Sequence, residues 1–349
     1  MDREGKASPD FIEKVVRTSL GRGSRRLVVK PGLGLDTGVI ALGGGRVLIL
    51  TVDPVSAVPS LGMELSGWLS VHLVASDFTT SGTRPEFATF SYNFPPEMSL
   101  SDREEYVRSV GDECGRLGVS IAGGHTGSYP GAGFSIIGAG SMFGFSLEGG
   151  YVSSSMARPG DRVLLTGHAA IEATAYLAYS FPEYVGQKVG RKAAKKAQEM
   201  IRLCSTVKAA EAAAKLGLGV NGITSMHDAT EGGILGALAE MSAASGKAFV
   251  VNPDAIPVPA EVDGVCSAFG IEPLTSLSEG ALLMTCSNRA VEGLLRAMSR
   301  AQVPTREIGS VKEGRGLWLA GGGGRPRLAP PMRDGYWEAY SRSVAGGLK

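Results

Sequence analysis

Cysteine, net charge and long apolar runs are what this chain of 349 residues lacks. Its four cysteines, Cys114, Cys204, Cys266 and Cys286, are widely spread and form no Cys-x-x-Cys pair. That spacing excludes a disulfide scaffold and a cysteine-built metal cluster, and fits reduced core thiols in a cytoplasm. Lys and Arg number 35 against 34 Asp and Glu, a formal charge of +1, so no bulk field recruits nucleic acid or a membrane surface. No apolar run reaches the roughly 18 residues of a bilayer span. The opening Met1-Asp2-Arg3-Glu4-Gly5-Lys6 has no apolar core of the kind a signal peptide needs.

Glycine is abundant instead. Fifty glycines, about twice ordinary usage, imply tight turns and close backbone approaches in a globular chain. A hydrophobic share of 43% and a charged share of 20% describe a folded protein, and the length favours two cores over one. The spacing predicts an N-terminal helix and basic loop over 1–30, a first domain over 31–155 and a second over 156–345, with the break at Met156 to Asp161.

The chain is organised around Asp228-Ala229-Thr230-Glu231-Gly232-Gly233. Two carboxylates and a hydroxyl precede Ile234, Leu235, Leu238 and Met241, which recur at helical spacing, so the cluster is expected at a helix start. Free N–H groups there suit a phosphate, and carboxylates suit a hard cation. The plain alternative is a capped helix with Asp228 or Thr230 as N-cap.

Four further acid or glycine patches lie upstream. Gly32 and Gly34 bracket the approach to Asp36. Asp53 is expected at the exit of the strand Arg46–Val52, because Pro54 follows it. Asp77 falls in the apparent polar turn Ser76 to Pro85, beyond a helix from Met63 to Val74. Gly123-Gly124-His125-Thr126 reads as a turn after the short strand Val119–Ala122. Between them, Ser101-Asp102-Arg103-Glu104 has the capping-box form, opening a helix with Val107, Val110, Cys114 and Leu117 on one face. A Lys- and Ala-rich helix is expected from Lys188 to Leu216, with Lys192, Lys195 and Lys196 on a solvated face. Converging carboxylates repel, and a divalent cation relieves that; beside phosphates Mg²⁺ is the natural choice. His125 reads either as a phosphate or substrate ligand, or as a packed turn residue; His227 reads as structural, and His72 and His168 have no supporting context.

These pieces, in this order, resemble the superfamily of aminoimidazole ribonucleotide (AIR) synthetase, thiamine-monophosphate kinase, selenophosphate synthetase and the hydrogenase maturation protein HypE. The resemblance spans residues 30 to 320 and rests on six segments. They are Gly34 to Ile40, Leu50 to Asp53, Ser76 to Pro85, Gly123 to Thr126, Asp228 to Gly233 and Ser278-Glu279-Gly280. It implies an α+β, two-domain PurM-like fold. The N-terminal sheet domain would pair with a second copy, and a C-terminal α/β domain would follow. It also implies ATP and Mg²⁺ between the domains, often across a dimer interface. On it, Asp36, Asp53, Asp77 and Asp228 are the metal candidates. Gly32, Gly34, Asp36, Asp53, Asp77, Gly123, Gly124, Thr126, Thr230 and Gly232 are the nucleotide candidates, and His125, Asp228 and Glu231 the catalytic ones.

Departures bear on the substrate. The sequence ends Ser343 to Lys349 without the terminal cysteine on which HypE carries its group, and no cysteine precedes Cys114 as selenophosphate synthetase requires. His125 stands where the thiamine-phosphate kinase has an aspartate, and Gly124 to Gly131 keeps the outline of the AIR synthetase substrate loop without its acids. The expectation is an enzyme that uses the γ-phosphoryl of ATP to phosphorylate or activate an oxygen of a small substrate. The alternatives are a HypE-like assembly factor acting on a partner protein, and a thiamine-monophosphate-type kinase.

Overall fold

A computed structural model of the protein describes residues 5–321, 327–328 and 333–349. The sequence also reads Gly321 to Arg327 as a flexible tail, and most of that stretch lies outside the described residues. Two sheets carry the chain. The first takes strands β1 (Leu27–Val29), β2 (Gly38–Gly43), β3 (Arg46–Ser56), β4 (Phe87–Phe94), β5 (Ser120–Ser128) and β6 (Ile136–Leu147). Their spatial order is β1-β2-β3-β6-β4-β5. Every pairing is antiparallel except β4 with β5, where the Leu100–Leu117 helix provides the crossover a parallel pair needs.

The second sheet takes β7 (Arg162–Thr166), β8 (Ile223–Ala229), β9 (Ala248–Val251), β10 (Ala281–Cys286), β11 (Thr305–Lys312), β12 (Gly316–Leu319) and β13 (Arg327–Leu328). Their order is β13-β12-β9-β11-β7-β10-β8. In β8 and β10 every residue is buried, as expected of strands covered on both faces. Each sheet with its helices is α+β, the two-domain arrangement that the resemblance implies.

The first sheet has an inner and an outer face. Val47, Ile49 and Val55 of β3 are buried on the inner face, and residues of the Met63–Thr79 helix, among them Val71, Val74 and Phe78, belong to the same core. On the outer side Val52, Ile136, Phe145 and Leu147 stay exposed. Alternation of this kind assigns each strand residue to a face.

Several local expectations need correction. Strand β3 does not stop at Asp53 but runs through Pro54 to Ser56. Its pairing with β2 ends at Leu50, so beyond that point a residue without an N–H costs no bond on that flank. Asp77 lies in the last helical turn of Met63–Thr79, not in a loop. The N-cap of the Leu100–Leu117 helix is Ser99, whose Oγ accepts from the Asp102 N–H at 3.1 Å, two residues before the expected box. On that helix Tyr106, Val110 and Cys114 are buried while Val107 is exposed.

Gly123-Gly124-His125-Thr126 is continuous strand within β5, not a turn. The long Lys188–Leu216 helix is three, Pro182–Val189, Arg191–Glu199 and Val207–Ala214. Gly190, at φ 86°, breaks the first from the second.

Candidate active site

The acids gather where the two sheets meet. Asp36 precedes β2, Asp53 sits on the inner face of β3, and Asp77 is on the helix that covers that face. Thr51 on β3 joins two of these segments, its hydroxyl 2.7 Å from the Asp36 carbonyl and 3.1 Å from Asp77 Oδ2. From the second sheet, Asp228 is the penultimate residue of β8, and Thr230 to Gly232 form the turn into the Gly233–Ser245 helix. The organising motif is therefore strand, turn and helix, with Asp228 on the strand. Its N-cap position is Gly232 at φ 80°, which offers no side-chain cap. Instead the Gly232 N–H donates to Asp334 Oδ2 at 3.0 Å, a carboxylate 102 residues later in the chain.

The two halves are pinned together by His227. Its Nδ1 lies 2.7 Å from Asp36 Oδ1, and its Nε2 is 3.0 Å from Glu240 Oε2. Burial alone would discharge this imidazole, but Asp36 and Glu240 outweigh it and raise its pKa to about 10. His227 is thus an internal cation at neutral pH. Glu240 is correspondingly held down at about 2: its burial is overcome by His227 and by Lys6, which approaches to 2.8 Å. Gly34 completes the joint. At φ +70°, any Cβ there would meet Glu240 Cβ at 2.7 Å, so only glycine lets the Asp36 segment seat against the Gly233–Ser245 helix.

Ligand atoms of Asp36, His227 and Asp228 all lie within 4.8 Å of one another. Asp36 Oδ2 and Asp228 Oδ2 are buried and have no hydrogen-bond partner among the described residues. Two carboxylates about 4 Å apart repel by roughly 4 kcal/mol at an effective dielectric near 20. The pKa values record that conflict. Asp53 is pushed up to about 8 by burial and by Glu231, Asp228 and Asp36. Asp228 rises to about 7 through burial and Asp36, against the pull of His227. Asp77 is raised by burial and then by Asp228, Asp53 and Asp36.

Not every candidate joins this cluster. Gly124 pairs with Phe90, Phe90 with Gly140 and Gly140 with Asp53, so β5 lies three strands from β3, about 14 Å at ordinary strand spacing. His125, in register with Ser91, Ala139 and Pro54, faces the outer side, whereas Asp53 faces the inner. Within one chain, then, Gly123, Gly124, His125 and Thr126 are remote from the acids, and His125 bonds Tyr129 Oη at 2.6 Å.

Two stretches match known families. Residues 34–146 match the N-terminal domain of AIR synthase related proteins and residues 158–319 the C-terminal domain, together most of the chain. The chain belongs to the AIR synthase related family. Among curated relatives of this AIR synthase related protein is the carbamoyl dehydratase HypE of Cupriavidus necator. It is 28% identical over 290 residues, which cover 80% of this chain and 77% of that one. Among solved structures, a HypE–HypF complex aligns with a TM-score of 0.71 at 23% identity, covering 92% of this chain and 99% of that one. A HypE solved with ATP aligns at 0.67 and 22%, covering 96% and 97%.

The AIR synthase related chain also recruits acids outside the site candidates named from the sequence, although Glu279 lies in one of the six matching segments. Glu172, in the first turn of the Ile171–Ser180 helix, rises to about 8 through burial and then Glu231, Asp334 and Asp53. Glu279 is 1% exposed, its Oε1 lacks a partner among the described residues, and burial followed by Asp228 raises its pKa. The Ala170 N–H donates to Ser278 Oγ at 2.8 Å, which ties these two acids' segments together. Glu172 follows a second strand-to-helix junction, β7 into Ile171–Ser180, so the pattern that flagged Asp228 could have found it. Asp334 has no such local signal.

Proposed function

We propose that the protein is an ATP- and Mg²⁺-dependent enzyme that uses the γ-phosphoryl of ATP to phosphorylate or activate an amide, carboxyl or phosphate oxygen of a small substrate. The observation that carries this is the pair of buried, partnerless oxygens, Asp36 Oδ2 and Asp228 Oδ2, among Asp53, Asp77 and Glu231. Buried like charges of this kind are relieved by protonation or by a counter-charge, and a bound cation would supply the second. The donor set fits a hard cation, since both nitrogens of His227 face carboxylates and the partnerless atoms of the acids are oxygens. Asp36 and Asp228 would hold the ion, with Asp53 and Asp77 beside them.

A bound Mg²⁺ would neutralise the acids and the phosphates they face. The chain's own residues do the rest. His227 and Glu240 fix Asp36, and Thr51 orients Asp77. Glu172, with its pKa near 8, keeps its proton at neutral pH and can donate to an anionic oxygen where an ionised carboxylate would repel it. The HypE solved with ATP, which has a similar fold, supports the ATP-dependent reading.

The exposed Val52, Ile136, Phe145 and Leu147 need cover, and a second copy paired face to face would supply it. Such a homodimer is also the arrangement that lets the outer-face His125 serve a neighbouring pocket. Light scattering at micromolar concentration should give twice the monomer mass; a monomer would remove both the dimer and that role for His125.

The likeness to the HypE of a HypE–HypF complex favours one further reading, an assembly factor acting on a partner protein. ADP release separates the two. The small-molecule fraction of a cell extract should stimulate Mg²⁺-dependent ADP release several-fold. Stimulation by the protein fraction alone would favour the assembly factor, and no turnover under any condition would refute the enzyme.

A further inference from the structure

Behind the acid pocket stands a second set of reactive groups that plays no part in it. Ser205 Oγ lies 2.7 Å from His72 Nδ1, and His72 Nε2 lies 2.9 Å from Glu113 Oε1. Three separate segments supply them: the loop before the Val207–Ala214 helix, the Met63–Thr79 helix and the Leu100–Leu117 helix. Glu113 also takes Arg116 Nη1 at 2.6 Å. An ionised carboxylate only accepts, so Nε2 carries the imidazole proton and Nδ1 is left to accept from the Ser205 hydroxyl. Burial disfavours ionisation of Glu113, but hydrogen bonds from His72 and Arg116 outweigh it and hold its pKa below the usual carboxylate value. Burial, reinforced by Arg202, keeps His72 below its own usual value despite Glu113, and so keeps the imidazole neutral.

The surroundings go beyond a plain hydrogen-bond chain. Trp68 packs on His72 with ring centroids 4.2 Å apart, and the Arg202 guanidinium sits 4.9 Å from the centroid of Trp68. The Arg202 cation thus lies on the tryptophan that packs against the imidazole. Ser205 is half-buried and its loop opens to solvent, Leu203 being 51% exposed. A hydroxyl, a base that can take its proton, a carboxylate orienting that base and a fixed cation are the parts of a nucleophilic centre.

We propose that Ser205 is a nucleophile that takes an acyl group from an anionic activated donor of the acyl phosphate class. Ser205 Oγ attacks the carbonyl carbon while its proton passes to His72 Nδ1. The C–O bond to phosphate breaks, the departing phosphate takes the proton from His72 beside Arg202, and an acyl-serine ester remains. The donor class rests on the ATP-dependent activation proposed above, because phosphorylating a carboxyl oxygen makes an acyl phosphate. The Ser205 loop adjoins that site, the Thr206 N–H donating to Ser76 Oγ at 3.0 Å next to Asp77. The nucleophile itself rests only on the geometry.

Two probes keep these parts separate. An uncharged fluorophosphonate, applied to the intact protein without ATP, should label Ser205 ahead of every other serine, as read by peptide mass spectrometry. His72→Gln should slow that labelling about 100-fold or more, the usual worth of a general base. Acetyl phosphate should acetylate Ser205 in the native chain and much less in Arg202→Gln. Ser205 labelled no faster than surface serines, or labelling unchanged in a folded His72→Gln variant, would overturn the nucleophile. Labelling by fluorophosphonate without acetylation would overturn the acyl phosphate donor alone, and neither result depends on whether the acid pocket turns over ATP.

Discussion

Asp228→Asn should abolish ATP turnover while leaving the unliganded protein at least as stable as before. The two effects have one cause. Asp228 is 2% exposed, its Oδ2 has no partner among the described residues, and it sits against Asp36. Asparagine has the same shape and removes the like charge, so the acid cluster loses a repulsion. The same change removes a charge that would hold the cation against the phosphates, an effect worth about 10²–10³ in rate for electrostatic groups at a transition state. Leu282 pairs with Asp228 through the backbone, so the β8–β10 ladder is untouched by the substitution. Thermal melting and ADP release on the same preparation check both halves. A melting temperature lowered by several degrees would make Asp228 a structural residue instead.

Raising the pH from 5 to 8 should destabilise the metal-free protein, and Mg²⁺ should restore the loss most strongly at the alkaline end. The sign follows from the carboxyl groups. Asp228, Asp53 and Glu172 have folded-state pKa values of about 7, 8 and 8, above the roughly 4 of the unfolded chain. The folded state therefore holds more protons across that window, and its stability falls as pH rises through the folded values. His227, raised to about 10, acts in the same direction above its unfolded value, and Glu240, held near 2, matters only in strong acid. A cation binds the ionised acids only, so it competes with protons and gains effect as they leave. Melting curves with EDTA and with Mg²⁺ at several pH values test this. A metal-free protein that gains stability steadily from pH 5 to 8 would contradict it.

Much of this pocket was legible in the sequence because its acids sit in short motifs at the ends of elements. Asp36, Asp53, Asp77, Asp228 and Glu231 were each picked out and do converge. What misled was the meaning of small polar residues. Thr79, Thr80 and Ser81 look like turn formers, yet their hydroxyls bond the carbonyls of Ser76, Asp77 and Phe78, closing the helix that carries Asp77. The paired glycines before His125 suggested a turn. Gly124 serves close approach within a strand, since a Cβ there would lie 2.2 Å from the Phe90 carbonyl oxygen. His227 looked structural and is so, but as the charge that joins the two halves. Glu240 and Asp334 reach the site through tertiary contacts with no local signature, and periodicity cannot report those.

Isothermal calorimetry of ATP binding, with Mg²⁺ and again in EDTA, tests the central claim most directly. Each of the acids around Asp36 and Asp228 needs a counter-charge before it can face a triphosphate. Binding with Mg²⁺ should be tight and should weaken at least tenfold in EDTA. Equal affinity in the two conditions would mean that the acids do not hold a metal for the nucleotide, and the proposed chemistry of this pocket would fall with it.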